Sequence, residues 1–235
     1  MNLYYSPLNF DHQDKYDDKP RMDLMDLIPE SCDRILEIGC GTGATGSVIK
    51  GKKPKAYYVG IEIDDQAARI AGTRLDQVLS VDLDKIQPEQ FNFEKEFFDL
   101  IIAADVLEHL YDPWRLMHLL RGYLKKNGKV LLSFPNTQNI NLIANLVKGH
   151  WTYEKYGLLD ATHIRFFTWA EIEKLLQGTG YRIQRMVSQL QAALDGQSYP
   201  LEITISNLVL KNINKEEAQK LFTFQYLVLA EKVIQ

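Results

Sequence analysis

The run Arg34-Ile35-Leu36-Glu37-Ile38, followed at once by Gly39-Cys40-Gly41-Thr42-Gly43, constrains this chain more than any other segment. The short apolar run predicts a strand. The alternating glycines predict a tight turn that opens into a helix reaching about Lys50. A turn without Cβ atoms lets the backbone approach a ligand closely, and a strand-to-helix turn is where open α/β sheets hold flat or charged ligands.

The rest of the chain repeats this unit. Ala56 to Glu62, Gln77 to Val81, Phe98 to Ala104 and Lys129 to Phe134 predict four further strands. Asp64 or Asp65 can cap the helix carrying Ala67, Ala68 and Ile70, and Asp112-Pro113 can open a helix over Trp114–Lys125 that Asn127-Gly128 ends. Strands alternating with helices over short connections predict a parallel, doubly wound sheet. Thr168-Trp169-Ala170-Glu171 has the form of a capping box for a helix to about Gln177. Tyr181 to Val187 and Phe222 to Val233 predict two late strands, with weak helical content between them. At the other end, residues 1–16 are expected to form an extended arm or short helix, and Asp17 to Ile28 an amphipathic helix stopped by Pro29.

With 235 residues, 46% of them apolar, the chain can bury one sizeable core, and a single domain over 1–235 is expected. The 31 acidic and 27 basic residues leave a net charge of −4, and Lys and Arg form no run longer than a pair, so neither a nucleic-acid partner nor membrane insertion is expected. Cys32 and Cys40 are too few for a disulfide framework, and no CxxC pattern is present. The start of the chain lacks the pattern of a signal peptide, and no apolar run is long enough to span a bilayer, so a soluble, cytoplasmic protein is expected.

Two cofactor readings compete for the glycine turn. Gly41, Gly43 and Gly46 fit G-x-G-x-x-G, with Glu62 about 20 residues on, which is the fingerprint of a nicotinamide dinucleotide site. Glu37 separates the readings. An acid just before the first glycine repels a pyrophosphate but attracts a cationic amino group.

Leu36 to Gly43 resembles the first motif of class I S-adenosylmethionine (SAM)-dependent methyltransferases, in which an acid, an apolar residue and three alternating glycines lie beneath the cofactor. Phe98 to Leu110, containing Asp105-Val106-Leu107-Glu108-His109, is similar to the corresponding stretch of the small-molecule members, especially the ubiquinone-biosynthesis O-methyltransferases and those encoded with glycan-assembly enzymes. The resemblance implies a Rossmann-like, seven-stranded mixed sheet, parallel through its fifth strand, whose last two strands form an antiparallel pair. It implies SAM as cofactor and S-adenosylhomocysteine as product. It also implies binding roles for Glu37, Gly39, Gly41, Gly43 and Ala104, with Glu62 on the ribose hydroxyls, Ile63 beside the adenine, Asp82 on the adenine amino group, Leu83 on the ring and Arg21 on the SAM carboxylate.

Methyl transfer from a sulfonium mainly requires alignment and exclusion of water. The acceptor atom is expected to be an oxygen, with nitrogen or carbon as alternatives, of a small molecule such as a quinone precursor or sugar intermediate. For a hydroxyl acceptor a general base helps, and His109 and His163 are the candidates. Asp160 and His163 alone do not make a metal site, so no metal is expected. Residues 136–167 and 189–214 depart from a minimal sheet of this kind and are expected to choose the acceptor. A nicotinamide-dependent oxidoreductase and a noncatalytic SAM-binding module remain as alternatives.

Overall fold

The computed structural model describes residues 6, 18–87, 91–191, 194–205 and 208–234. The strands are β1 (Arg34–Ile38), β2 (Tyr57–Glu62), β3 (Gln77–Ser80), β4 (Phe98–Ala103), β5 (Leu124–Pro135), β6 (Tyr181–Leu190), β7 (Leu201–Ile205), β8 (Leu208–Ile213) and β9 (Thr223–Lys232). Seven of them form one sheet in the order β3-β2-β1-β4-β5-β9-β6. Strands β1 to β5 run parallel, and β9 is antiparallel to both β5 and β6. The expected seven-stranded mixed α/β sheet is therefore present, with β6 and β9 as its antiparallel pair.

Alternation along the central strands divides the core in two, because successive side chains of a strand point to opposite faces. Leu36, Ile38, Ile101, Ala103, Val130 and Leu132 pack in one cluster with Leu116, Leu120, Ile172 and Leu176. Ile35, Tyr58, Leu100, Ile102 and Leu131 pack on the other face with Leu24, Leu27, Ile49 and Ala71. Burial on both faces is what makes these strands continuous apolar runs.

Helices α1 (Ala44–Lys52), α2 (Asp65–Ala71), α3 (Pro113–Arg121), α4 (Ile140–Val147), α5 (Trp169–Gly178) and α6 (Lys215–Phe222) connect the strands. Asp64 caps α2 through the N–H groups of Gln66 and Ala67, and Asp112 caps α3 through that of Arg115. Four expectations are corrected. Helix α3 stops at Arg121, because the chain turns at Gly122 and enters β5 at Leu124; Asn127-Gly128 lies within that strand, where its register against β4 shifts. The Thr168 side chain makes no cap bond, and Glu171 instead accepts from Lys174 (2.7 Å), so the capping box does not form. Met22–Leu27 is a 3-10 helix rather than an amphipathic α-helix. Only Leu24 and Leu27 of it are buried, a three-residue spacing that suits the tighter helix. The fourth concerns the late region. It holds the β7–β8 hairpin and α6, whose Asn214 and Glu217 form a reciprocal capping box. The arm expected over residues 1–16 lies outside the described residues apart from Ser6, as does Asp17.

Candidate active site

Strand order reverses between β1 and β4, and open α/β sheets bind ligands beyond the carboxyl ends of their strands at such a point. A cleft of about 460 Å³ lies there, lined among others by Gly39 after β1, Glu62 and Ile63 at the end of β2, Asp82 and Leu83 after β3, and Asp105 after β4. Gly39 has φ +67°, and a Cβ on it would stand 2.6 Å from Val106 Cγ2. Both conditions demand glycine. Glu62 organises the floor: its carboxylate accepts the backbone N–H groups of Gly41 (2.8 Å), Ile63 (2.9 Å) and Asp64 (3.0 Å). Gly46 serves packing, since a Cβ there would meet Leu75 at 2.5 Å and Tyr58 at 2.7 Å.

Gly41, Gly43, Glu37 and Ala104 stand behind this lining rather than in it. Glu37 is buried under the loop, where its carboxylate accepts the Tyr58 hydroxyl (2.9 Å) and burial pushes its pKa up to about 8. The N-terminal segment is fastened to the same loop by Asp18, which accepts the Thr42 hydroxyl (2.5 Å) and two guanidinium bonds from Arg74 (2.5 and 2.9 Å).

A second cavity of about 520 Å³ adjoins the cleft, and Asp105, His109, Tyr156 and Asp160 belong to both. Arg21 lines this second space rather than the cleft. Its guanidinium is engaged by Asp23 (2.8 Å), by Asp105 and by Gln225 (3.2 Å). Asp105, which the sequence reading left without a role, is central to the junction. It holds φ +56°, a left-handed conformation uncommon outside glycine, and its carboxylate takes bonds from Ser133 (2.8 Å), Gln225 and Arg21. Its one sequence signal is an acid directly after an apolar strand.

Of the two histidines, His109 sits on a 3-10 turn, Leu107–His109, and His163 on the loop before α5. Their rings lie 4.8 Å apart. His109 Nδ1 is 3.2 Å from the Thr162 carbonyl and 3.0 Å from the Thr162 hydroxyl, which itself donates to Asp160 (2.6 Å). Both Thr162 oxygens therefore accept, which places the ring proton on Nδ1 and leaves Nε2 as the basic nitrogen. His163 is nearly buried, and burial together with the neighbouring His109 lowers its pKa, favouring the neutral ring.

The loop carrying His163 is tied down by the Glu108 carbonyl, which accepts the N–H groups of Ile164 and Arg165 (both 2.9 Å), and by Arg165, which donates to the Tyr111 carbonyl. Of the aromatic residues in the insertion, Tyr156 reaches both cavities, whereas Trp151 and Phe166 pack edge to face on each other at 5.6 Å. Cys32 and Cys40 are both free and buried, and burial raises both thiol pKa values. Among the described residues no helix is long and apolar enough to cross a membrane.

Residues 10–185 match the family model described as a methyltransferase domain. The polyketide synthase PksR of Bacillus subtilis (strain 168) is 27% identical over 207 residues, which are 82% of this chain and 8% of the synthase. The ubiquinone biosynthesis O-methyltransferase of Aeromonas salmonicida (strain A449) is 21% identical over 166 residues, 70% of this chain and 69% of that enzyme. Among solved structures, a SAM-dependent methyltransferase from Archaeoglobus fulgidus superimposes with a TM-score of 0.61 at 18% identity, covering 89% of this chain and 91% of that one.

Proposed function

The chain belongs to the SAM-dependent methyltransferases, and we propose that it transfers the SAM methyl group to an oxygen of a small molecule seated in the cavity beside the cofactor cleft. The observation that carries this reading is the pair of adjoining cavities that share Asp105 and His109. In the cleft, Glu62 meets the ribose, while Ile63, Asp82 and Leu83 surround the adenine. The methionine end runs past Gly39 toward Arg21, with its ammonium over the buried Glu37. Gly41 and Gly43 set the path of the loop, and Ala104 closes the end of β4.

In this arrangement the sulfonium methyl points across the junction into the second cavity. The C–S bond breaks as the new C–O bond forms, the electron pair stays on sulfur to give S-adenosylhomocysteine, and the acceptor proton must leave. His109 and His163 stand on the wall where that proton is lost. The walls also include Asp23, Asp105, Asp160, Gln189 and Gln225, which favours a polar acceptor rich in hydroxyl groups, such as a sugar intermediate or a hydroxylated quinone precursor.

The test is incubation of the enzyme with methyl-labelled SAM and a panel of hydroxylated aromatics and sugars, followed by mass spectrometry of the products. An O-methylated product is expected. Label found only on nitrogen, carbon or macromolecular acceptors would overturn the oxygen assignment. His109→Ala and His163→Ala are expected to slow turnover while leaving SAM affinity unchanged, and unchanged rates in both would remove them from the chemistry.

A further inference from the structure

We propose that Glu108, His109 and His163 form a binding site for one divalent first-row transition-metal ion, open to the acceptor cavity. Their ligand atoms all lie within 4.8 Å of one another. The three belong to two separate segments, and the backbone bonds from Ile164 and Arg165 to the Glu108 carbonyl clamp those segments together.

Glu108 supplies the strongest reason. Its side chain is 1% exposed, and neither carboxylate oxygen has a hydrogen-bond partner among the described residues. A buried carboxylate in that condition is held either as a neutral acid or by a cation from outside. The nearest imidazole nitrogen, His163 Nε2, is 3.9 Å from Oε1, beyond hydrogen-bond range. Two ligands on one ion at ordinary bond lengths sit about 3.0–3.4 Å apart, so a side-chain adjustment of roughly 0.5–1 Å brings this pair onto a metal.

The His109 imidazole is prepared for the same role. Metal-bound histidines usually donate their second ring nitrogen to a carbonyl or carboxylate, which fixes the tautomer and aims the other nitrogen. The Thr162 carbonyl does this for His109 Nδ1. Two imidazoles and one carboxylate select zinc, iron, cobalt or manganese over magnesium and calcium, which prefer oxygen donors throughout. Three protein ligands leave further coordination positions to be filled, and Arg21 and Asp105 line the same cavity. In a consequence that rests on the proposed function, an acceptor hydroxyl filling one of them would lose its proton to solvent under the metal's charge before the methyl group arrives.

The experiment uses untagged full-length protein freed of metal with a chelator and titrated with Zn²⁺ by calorimetry and with Co²⁺ by visible absorption. One ion per chain and cobalt ligand-field bands are expected. Glu108→Gln and His163→Gln should each weaken binding at least tenfold while SAM affinity stays at the wild-type value. Absence of heat and of cobalt bands in the wild-type protein, which needs no variant to interpret, would overturn the site, as would equal affinity in both variants. A chain that binds cobalt yet methylates no hydroxylated acceptor would refute the proposed function and leave the metal site standing. One that methylates such acceptors without taking up an ion would do the reverse.

Discussion

Cofactor binding is expected to release a proton from Glu37. Its carboxyl lies under the glycine turn, receives a bond from Tyr58, and is pushed by burial to about 8. At pH 7 roughly nine free molecules in ten therefore carry it protonated. A SAM ammonium docked over it favours the carboxylate, so the proton leaves as the cofactor arrives. Calorimetric titration with SAM in two buffers of different ionisation enthalpy measures this directly, and roughly 0.9 proton per SAM is expected at pH 7. Affinity should rise with pH below about 8, by at most about tenfold per pH unit, because deprotonation is then paid in advance. Glu37→Gln keeps an acceptor for Tyr58 but has no proton to release. It should lose this pH dependence and bind SAM roughly ten- to a hundredfold more weakly at pH 8, the worth of one charge-assisted hydrogen bond. A wild-type binding enthalpy that does not depend on the buffer, or equal affinity in the Gln variant, would refute the reasoning.

The same group sets a stability trend in the ligand-free protein. A carboxyl whose folded pKa is raised gives stability that is complete below its ordinary value and is lost as pH rises through about 8, so melting curves should favour Glu37→Gln increasingly between pH 5 and pH 9. Gly39→Ala combines a left-handed backbone with a 2.6 Å approach to Val106 and should cost about 2–4 kcal/mol in urea unfolding; Val106→Ala in the same chain should recover only the part due to overlap. Asp105→Ala removes the acceptor shared by Ser133, Gln225 and Arg21 and should lower turnover by at least tenfold in a coupled assay of S-adenosylhomocysteine release. Asp112→Ala removes the cap of α3 at a residue that lines neither cavity and should cost about 1 kcal/mol with unchanged turnover.

Local chemistry made the cofactor half legible. The apolar runs of β1, β2 and β4 are continuous because both faces are covered, and Asp64 and Asp112 were readable as caps because a cap acts on N–H groups two or three residues away. Thr168 and Glu171 show the limit of such reading, since the right residues at the right spacing make no cap bond and Glu171 pairs with Lys174 instead. Helix α4 was missed because it buries only Ile140 and Leu142 fully, and much of its support comes from β7, β8 and α6 rather than from the main sheet. In the cleft, the positions of Gly39 and Glu62 followed from the strand-and-turn pattern, whereas the bonds from Glu62 to the loop N–H groups did not. The meeting of Glu108 with His163 did not: more than fifty residues separate them, and only the course of the insertion brings them together. The contacts of Arg21 were not legible, because its partners Asp105, after β4, and Gln225, in β9, lie far along the chain.

The place of β9 bears on how the two halves of the enzyme come into being. It lies between β5 and β6, and its first residues hold the segment after β5: Phe224 accepts the Asn136 N–H, and Thr223 accepts from the side chains of both Asn136 and Asn139. The strands around the glycine turn can pair as they emerge from the ribosome, whereas β6 has no sheet neighbour until residues 223–232 have been made. Such late, long-range pairing is slow to form. A nascent chain is therefore expected to hold the strands around the glycine turn before the second cavity, lined by Phe224 and Gln225, is complete, so premature termination within α6 would leave an open β5 edge and the proposed acceptor seat unbuilt.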